Sequence, residues 1–310
     1  MATTLQDAAA PTGKPRRRGG RRFSTRDKVV LGLMMGVPAL IHIAFVWFPA
    51  IASVALSFAR WNGVGGLGTI KWVGFDNYHQ ITTNYPSFWP AVHHNLFWLG
   101  ALLIVGTPLG LFLAILLDKE MKGSRLYQSA IYLPVVLSLA LVGFIWQLIY
   151  SPDQGLINNV FHTDVDWLGD PSVNIWAIIV AALWKHVGYI MVLYLAGLKA
   201  VDTSLREAAS MDGATEVQTF RSVVFPSLRP INIVVLVVTV IEALRAFDIV
   251  YIINKGRNGL ELLSVLITDN IIGEASRIGF GSAIAVILLV ISLAFIVPYL
   301  TVVFGKEFKS

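Results

Sequence analysis

Charged side chains interrupt two apolar runs in the second half of this sequence. Glu242, Arg245 and Asp248 lie at i, i+3 and i+6 within Ile231–Ile253, and Lys185-His186 falls inside Val173–Ala200. Charges in such settings are costly, and they face either a partner or a water-filled cavity. Two chemistries fit the spacing. Glu242 and Arg245 can neutralise each other on one helical face. Alternatively, the charged groups line a path and exchange hydrogen bonds with a polar solute. Trp184, beside Lys185, and Trp146-Gln147 in a further apolar run are candidates for the same path. A tryptophan in such a run also serves as packing or as an interface anchor.

Enzyme chemistry has no foothold. The sequence contains no cysteine, so thiol catalysis and thiolate metal sites are excluded. No HExxH, GxSxG or GxxxxGK[ST] pattern is present. His93-His94 has no third ligand in view, and the pair reads as interfacial rather than metal-binding.

The elements that must carry these residues are membrane spans. The chain of 310 residues is 55% hydrophobic and 14% charged, with a mean hydropathy of +0.68. Soluble domains carry about a quarter charged residues. A span needs about 20 apolar residues. Val29–Ala59, Leu96–Leu117, Leu126–Tyr150, Val173–Ala200, Ile231–Ile253 and Gly281–Phe304 meet that requirement, which predicts an all-α polytopic membrane protein of six spans. Residues 1–28 read as a disordered basic tail, 29–304 as the membrane domain and 305–310 as a short C-terminal tail.

The net charge of +5 does not point to nucleic acid, because the basic residues alternate from loop to loop. Lys14, Arg16, Arg17, Arg18, Arg21, Arg22, Arg26 and Lys28 precede the first span. Lys119, Lys122 and Arg125 follow the second, Lys199, Arg206, Arg221 and Arg229 follow the fourth, and Lys306 and Lys309 follow the last. The opposite loops hold only Arg60, Lys71, Lys255, Arg257 and Arg277. The positive-inside rule places both termini in the cytoplasm of a multi-pass plasma-membrane protein.

The segment Arg206–Pro230, REAASMDGATEVQTFRSVVFPSLRP, is predicted to lie on that same side. Ser204 with Glu207, and Thr215 with Gln218, match capping boxes. Gly213 suits a left-handed helix end, and Pro226 stops a second helix. The expected local structure is helix, glycine bend, helix, proline.

Glu207-Ala208-Ala209, Asp212-Gly213-Ala214, Phe220, Pro226 and Pro230 resemble the EAA loop of the membrane subunits of binding-protein-dependent ABC importers. FDNYHQI (75–81), YLPVVLS (132–138), LAGLKAVD (195–202) and GFGSAIAVIL (279–288) are similar to phrases of the carbohydrate-type permeases, with the maltose and glycerol-3-phosphate groups nearest. Asp202 stands where that group often has proline, and NKGRNG (254–259) replaces a glycine-and-proline turn.

The resemblance implies a prokaryotic import subunit with a cytoplasmic coupling loop over 203–230. That loop would dock on an ATPase through Glu207, Ala208, Ala209, Met211, Asp212, Gly213, Ala214, Phe220 and Pro226. It further implies a second permease subunit, two ATPase subunits carrying the ATP and magnesium, and an extracytoplasmic binding protein or lipoprotein, all assembled in membrane lipid. No cofactor is expected on this chain, which is no enzyme itself. On this reading Trp146, Gln147, Trp184, Lys185, Glu242, Arg245 and Asp248 line the path of a sugar or oligosaccharide. Two alternatives stay open. One is a phosphorylated polyol with Lys185 or Arg245 as phosphate partner, and the other is a stand-alone secondary transporter.

Overall fold

In hydrocarbon every backbone N–H and C=O must be satisfied within its own segment, so the long apolar runs fold as helices. The computed structural model describes residues 24–119, 122–273 and 276–307. In chain order the helices are α1 (Thr25–Leu56), α2 (Asp76–Asn84), α3 (Phe88–Asp118), α4 (Ser124–Val136), α5 (Leu139–Ile149), α6 (Leu156–Phe161), α7 (Asn174–Ala200), α8 (Thr203–Met211), α9 (Glu216–Thr219), α10 (Arg229–Leu244), α11 (Asp248–Asn254), α12 (Leu263–Ile271) and α13 (Ile278–Glu307). A short antiparallel hairpin, β1 (Ala59–Arg60) with β2 (Lys71–Trp72), separates α1 from α2.

Two compact units divide between Ile51 and Ala52. Helix α1 has no buried residue. It already begins at Thr25, so Arg26 and Lys28 belong to its first turn rather than to a tail, and Ser24 N donates to Asp27 Oδ2 at 3.0 Å. The rest of the expected tail, residues 1–23, lies outside the described residues, as do 308–310 of the expected C-terminal tail. Helix α13 runs on to Glu307.

Among the described residues, α1, α3, α7 and the apolar part of α13 are long enough to cross a membrane, and the pair α4/α5 makes a fifth span if counted together. Two of the expected spans are therefore not single helices. Leu126–Tyr150 bends by 100° between α4 and α5. Leu137 turns extended (ψ 143°) after Pro134, and Ser138 restarts the helix by accepting from Leu141 N at 3.3 Å. Ile231–Ile253 breaks at Arg245–Phe247, which leaves α10 with 16 residues and α11 with seven.

Helix α7 is the central element, packed against α3 and α4. Close approach there depends on glycines. A Cβ on Gly110 would come within 2.7 Å of Ile190 Cγ2, and one on Gly106 within 2.9 Å of His186 Cδ2. One on Gly188 would collide with the Ile131 carbonyl. Small residues serve this purpose between membrane helices, where the gain comes from van der Waals packing rather than from expelling water. The buried side chains Ile178, Ile190 and Met191 fill the joints.

Candidate functional site: a cavity between broken helices

Both helix breaks open onto one space. A cavity of about 460 Å³ is walled by the end of α10 and start of α11 (Glu242, Arg245, Phe247, Asp248), by Val135 and Leu139 on either side of the α4/α5 bend, by Lys185, His186 and Tyr189 of α7, and by Trp98 and Leu102 of α3. Lys185 lies near the middle of the 27-residue α7, so the cavity sits at mid-length of the most buried of the span-length helices. Non-helical backbone is tolerated at that depth only where protein or a water-filled space satisfies it.

Each charged group has a distinct task. Lys185 Nζ donates to Val135 O at 3.1 Å and Leu137 O at 3.4 Å. These carbonyls end α4, where the bend removes their helical partners. The lysine thus caps a broken helix and presents its charge to the cavity wall. His186, 3% exposed, places Nδ1 2.8 Å from Glu242 Oε2. A carboxylate only accepts, so Nδ1 carries the proton. Nε2 then faces the buried Thr239 hydroxyl at 3.4 Å.

The expected Glu242–Arg245 pair does not form, because Glu242 takes His186 as its partner. Arg245 is the residue just past the end of α10 (φ −87°, ψ 3°), and its side chain leaves the helical face that i, i+3 spacing assumes. Among the described residues Arg245 has no ion pair. Asp248 sits in the first turn of α11, where a carboxylate suits the helix N-terminus. Ser264 Oγ donates to Ala246 O and so satisfies one carbonyl of the break.

Four of the sequence-predicted path residues, Lys185, Glu242, Arg245 and Asp248, line the cavity, and three do not. Gln147 Nε2 donates to Ile252 O and Ile253 O at 3.0 and 2.7 Å, which ties α5 to the end of α11. Trp146 packs edge-on against Trp184, with ring centroids 5.8 Å apart. Tyr189, Phe247 and Trp98 were not singled out by sequence reasoning. Their only signal would have been one helical turn of spacing from Lys185 for Tyr189, and adjacency to Asp248 for Phe247. Of the His93-His94 pair, His94 places Nδ1 2.9 Å from Glu261 O. No cluster of metal-binding side chains exists among the described residues.

The polar segment after α7 forms a second site. Asp202, rather than Ser204, caps α8, and it accepts from Ser204 N at 2.9 Å. That hydrogen bond holds the Asp202 carboxyl below its usual range. Gly213 is left-handed (φ 80°). Thr215 and Gln218 exchange hydrogen bonds at the start of α9, and the chain stays helical through Val224 to Phe225–Ser227. Glu207, Ala208, Met211, Asp212, Gly213 and Pro226 are exposed, whereas Ala209, Ala214 and Phe220 are half-buried.

Ion pairs fasten this segment to the long helices. Arg206 Nη1 lies 2.9 Å from Asp118 Oδ2 at the end of α3, and Arg206 Nη2 donates to Leu198 O at 3.0 Å. Lys199 is 3.9 Å from the other Asp118 oxygen. Lys119 Nζ meets Glu216 Oε2 at 2.7 Å, and this bond lowers the Glu216 carboxyl below its ordinary value.

A helical membrane protein whose broken spans enclose a polar cavity, with a capped polar helix pair anchored to its span ends, has the architecture of a solute permease. Residues 106–310 match the model of the binding-protein-dependent transport system inner membrane component. The chain is 32% identical over 290 residues to the xylose/arabinose import permease protein XacH of Haloferax volcanii, covering 90% of each chain. It is 30% identical over 277 residues to the trehalose/maltose transport system permease protein MalF of Thermococcus litoralis, covering 88% of this chain and 93% of that one. Its fold is similar to a crystal structure of a bacterial ABC transporter involved in the import of the acidic polysaccharide alginate, with a TM-score of 0.76 at 21% identity, covering 90% of this chain and 96% of that one. The chain belongs to the family of binding-protein-dependent transport system inner membrane components.

Proposed function

We propose that this chain is the permease subunit of an ABC importer for a neutral sugar or short oligosaccharide. The observation that carries the reading is the cavity at the two helix breaks, with Lys185, Arg245, Glu242 and Asp248 in its wall. Their formal charges cancel, and two of the four are already engaged by the protein. A wall of this kind offers hydrogen bonds to hydroxyl groups without a net field. Tyr189 and Phe247 add aromatic surface for the C–H faces of a sugar ring. A phosphorylated polyol would need an uncompensated cation, and the balanced wall disfavours it. The names of the two curated relatives, which concern xylose, arabinose, trehalose and maltose, support the same class.

In this reading α8 and α9 form the cytoplasmic coupling element, and both chain termini share its side. The segment docks on one of two ATPase subunits, which hold the ATP and magnesium. A second permease subunit completes the path, and an extracytoplasmic binding protein delivers the sugar. Six membrane crossings result if α10 with α11 completes one and α4 with α5 another. The exposed Glu207, Ala208 and Met211 face the ATPase, and Gly213 sets the angle between the helices.

The test is uptake by the reconstituted complex of a panel containing xylose, arabinose, maltose, trehalose and glycerol 3-phosphate. A neutral sugar should be taken up, and Tyr189→Ala should reduce that uptake while leaving assembly intact. Uptake of glycerol 3-phosphate alone would overturn the substrate class. Uptake by the purified chain without ATP would overturn the importer reading.

A further inference from the structure

A second cavity, of about 500 Å³, opens where the hairpin meets the first turn of α13. Arg60, Trp61, Lys71, Gln80 and Arg277 are among its walls. Three of the five basic residues assigned by sequence to the sparsely charged face thus converge in one place. We propose that this cavity is a phosphodiester site occupied by the headgroup of an anionic phospholipid. The proposal needs only that the chain is membrane-embedded, and it holds whichever face is outside.

The strand register sets Arg60 directly opposite Lys71, and like charges across a strand pair are destabilising. Asp76 binds the Arg60 guanidinium at 2.8 Å but also accepts from Gln80 at 2.8 Å. Lys71 makes no ion pair among the described residues. Arg277 is held by Asn270 Oδ1 at 2.8 Å and lies 4.6 Å over the Phe280 ring, and it makes no ion pair among the described residues. Among the described residues, three cations face the single carboxylate Asp76, and that surplus is one an anion would relieve.

Asn77, buried, donates to Ser57 O at 2.8 Å and Ala59 O at 2.9 Å. Trp61 Nε1 donates to Thr69 Oγ1 at 3.2 Å, and Gly279 N to Trp61 O at 3.3 Å. A Cβ on Gly279 would collide with the Ala59 carbonyl. The backbone that carries the cations is therefore pre-positioned, which lowers the ordering cost of binding.

Depth selects the lipid over a soluble anion. Arg277 immediately precedes the apolar α13, and Arg60 follows within four residues of the end of α1. Those positions mark the edge of the hydrocarbon, where lipid phosphates lie. The same hairpin exposes Val64, Leu67 and Trp72 at 68%, 76% and 68%. A tryptophan and apolar side chains beside cations at a span end form an interfacial anchor.

The experiment uses the complete transporter complex, purified and incubated with phosphatidylglycerol or phosphatidylcholine, with bound lipid counted by native mass spectrometry. Wild type should retain phosphatidylglycerol over phosphatidylcholine. Lys71→Gln, at an exposed position that leaves folding unchanged, should weaken phosphatidylglycerol retention about five-fold, the equivalent of ~1 kcal/mol per basic residue at an anionic surface. Lys71→Glu should weaken it further. Retention unaffected by both substitutions would overturn the proposal. Displacement of the lipid by millimolar inorganic phosphate would also overturn it, in favour of a free anion. So would a loss of binding-protein stimulation on Lys71→Gln with phosphatidylglycerol retention unchanged, in favour of an acidic protein partner.

Discussion

The bond between Arg206 and Asp118 should decide whether the polar helix pair moves with the spans or swings free of them. Asp118 is 14% exposed and Arg206 35%, with 2.9 Å between their atoms. Exposed pairs contribute up to about 1 kcal/mol, and removal of one partner from a buried pair costs about 3–5 kcal/mol. A half-buried pair with one further cation falls between, and a coupling energy of about 1–2 kcal/mol is expected. That corresponds to a roughly five- to thirty-fold rise in the population with α8 detached from α3. Asp118→Asn should act more strongly than Arg206→Gln, because Lys199, at 3.9 Å, can close on Asp118 once the arginine is gone. The assay is a double-mutant cycle on the reconstituted complex. Hydrogen exchange of the α8 amides reports detachment, and sugar transported per ATP hydrolysed reports coupling. Additive single substitutions, within about 0.3–0.5 kcal/mol, with an unchanged transport ratio, would refute a clamp.

Lys185→Met should destabilise the membrane domain by about 2–4 kcal/mol in thermal or chemical unfolding, since it strips the charged donor from two carbonyls at the α4/α5 bend. Lys185→Arg should recover part of that loss. His186→Leu should leave the Glu242 carboxylate without its partner, and a cycle with Glu242→Gln should give a coupling of about 1–2 kcal/mol in the same measurement. Gly213→Val, which must hold a β-branched residue at φ 80°, should spare assembly yet abolish most binding-protein-stimulated ATP hydrolysis. Full stimulation would remove Gly213 from the coupling reading. A cysteine placed at Ala214 of this cysteine-free chain should resist an impermeant thiol reagent in intact cells, and its labelling from outside would reverse the orientation.

Apolar run length located α1, α3, α7 and α13 in the sequence to within a turn or two, with the start of α3 falling earlier than expected. The two breaks were not legible from run length. Leu126–Tyr150 stays apolar straight through its bend, because the device that stabilises it, Lys185, lies some fifty residues away on α7. Arg245-Ala246-Phe247 contains neither proline nor glycine, so nothing local announces the end of α10. The charged residues of the cavity could be found because charge in an apolar run is conspicuous. Their partners could not, since i, i+3 spacing suggests Glu242 with Arg245 whereas the fold supplies His186. Trp146, Gln147 and Trp184 were singled out by residue type alone; Gln147 ties α5 to α11, and Trp146 packs on Trp184 of α7. Around Gly213 the chemistry is local. Thr215, Gln218 and the glycine act within a few residues, and there the structure differs at the first cap, which Asp202 supplies, and at Pro226, past which the chain stays helical to Ser227.

The brevity of α10 bears on how the chain is made. Sixteen helical residues extend about 24 Å, less than the ~30 Å of hydrocarbon. A segment that short, with Glu242 and Arg245 at its end, is a poor substrate for insertion by itself. Among the described residues its carboxylate finds a hydrogen-bond donor in His186, on a helix synthesised earlier. Helix α7 precedes α10 in the chain, so the histidine is made before the acid that it meets. A truncated chain ending before α7 should therefore offer α10, supplied separately, no stable place in the membrane.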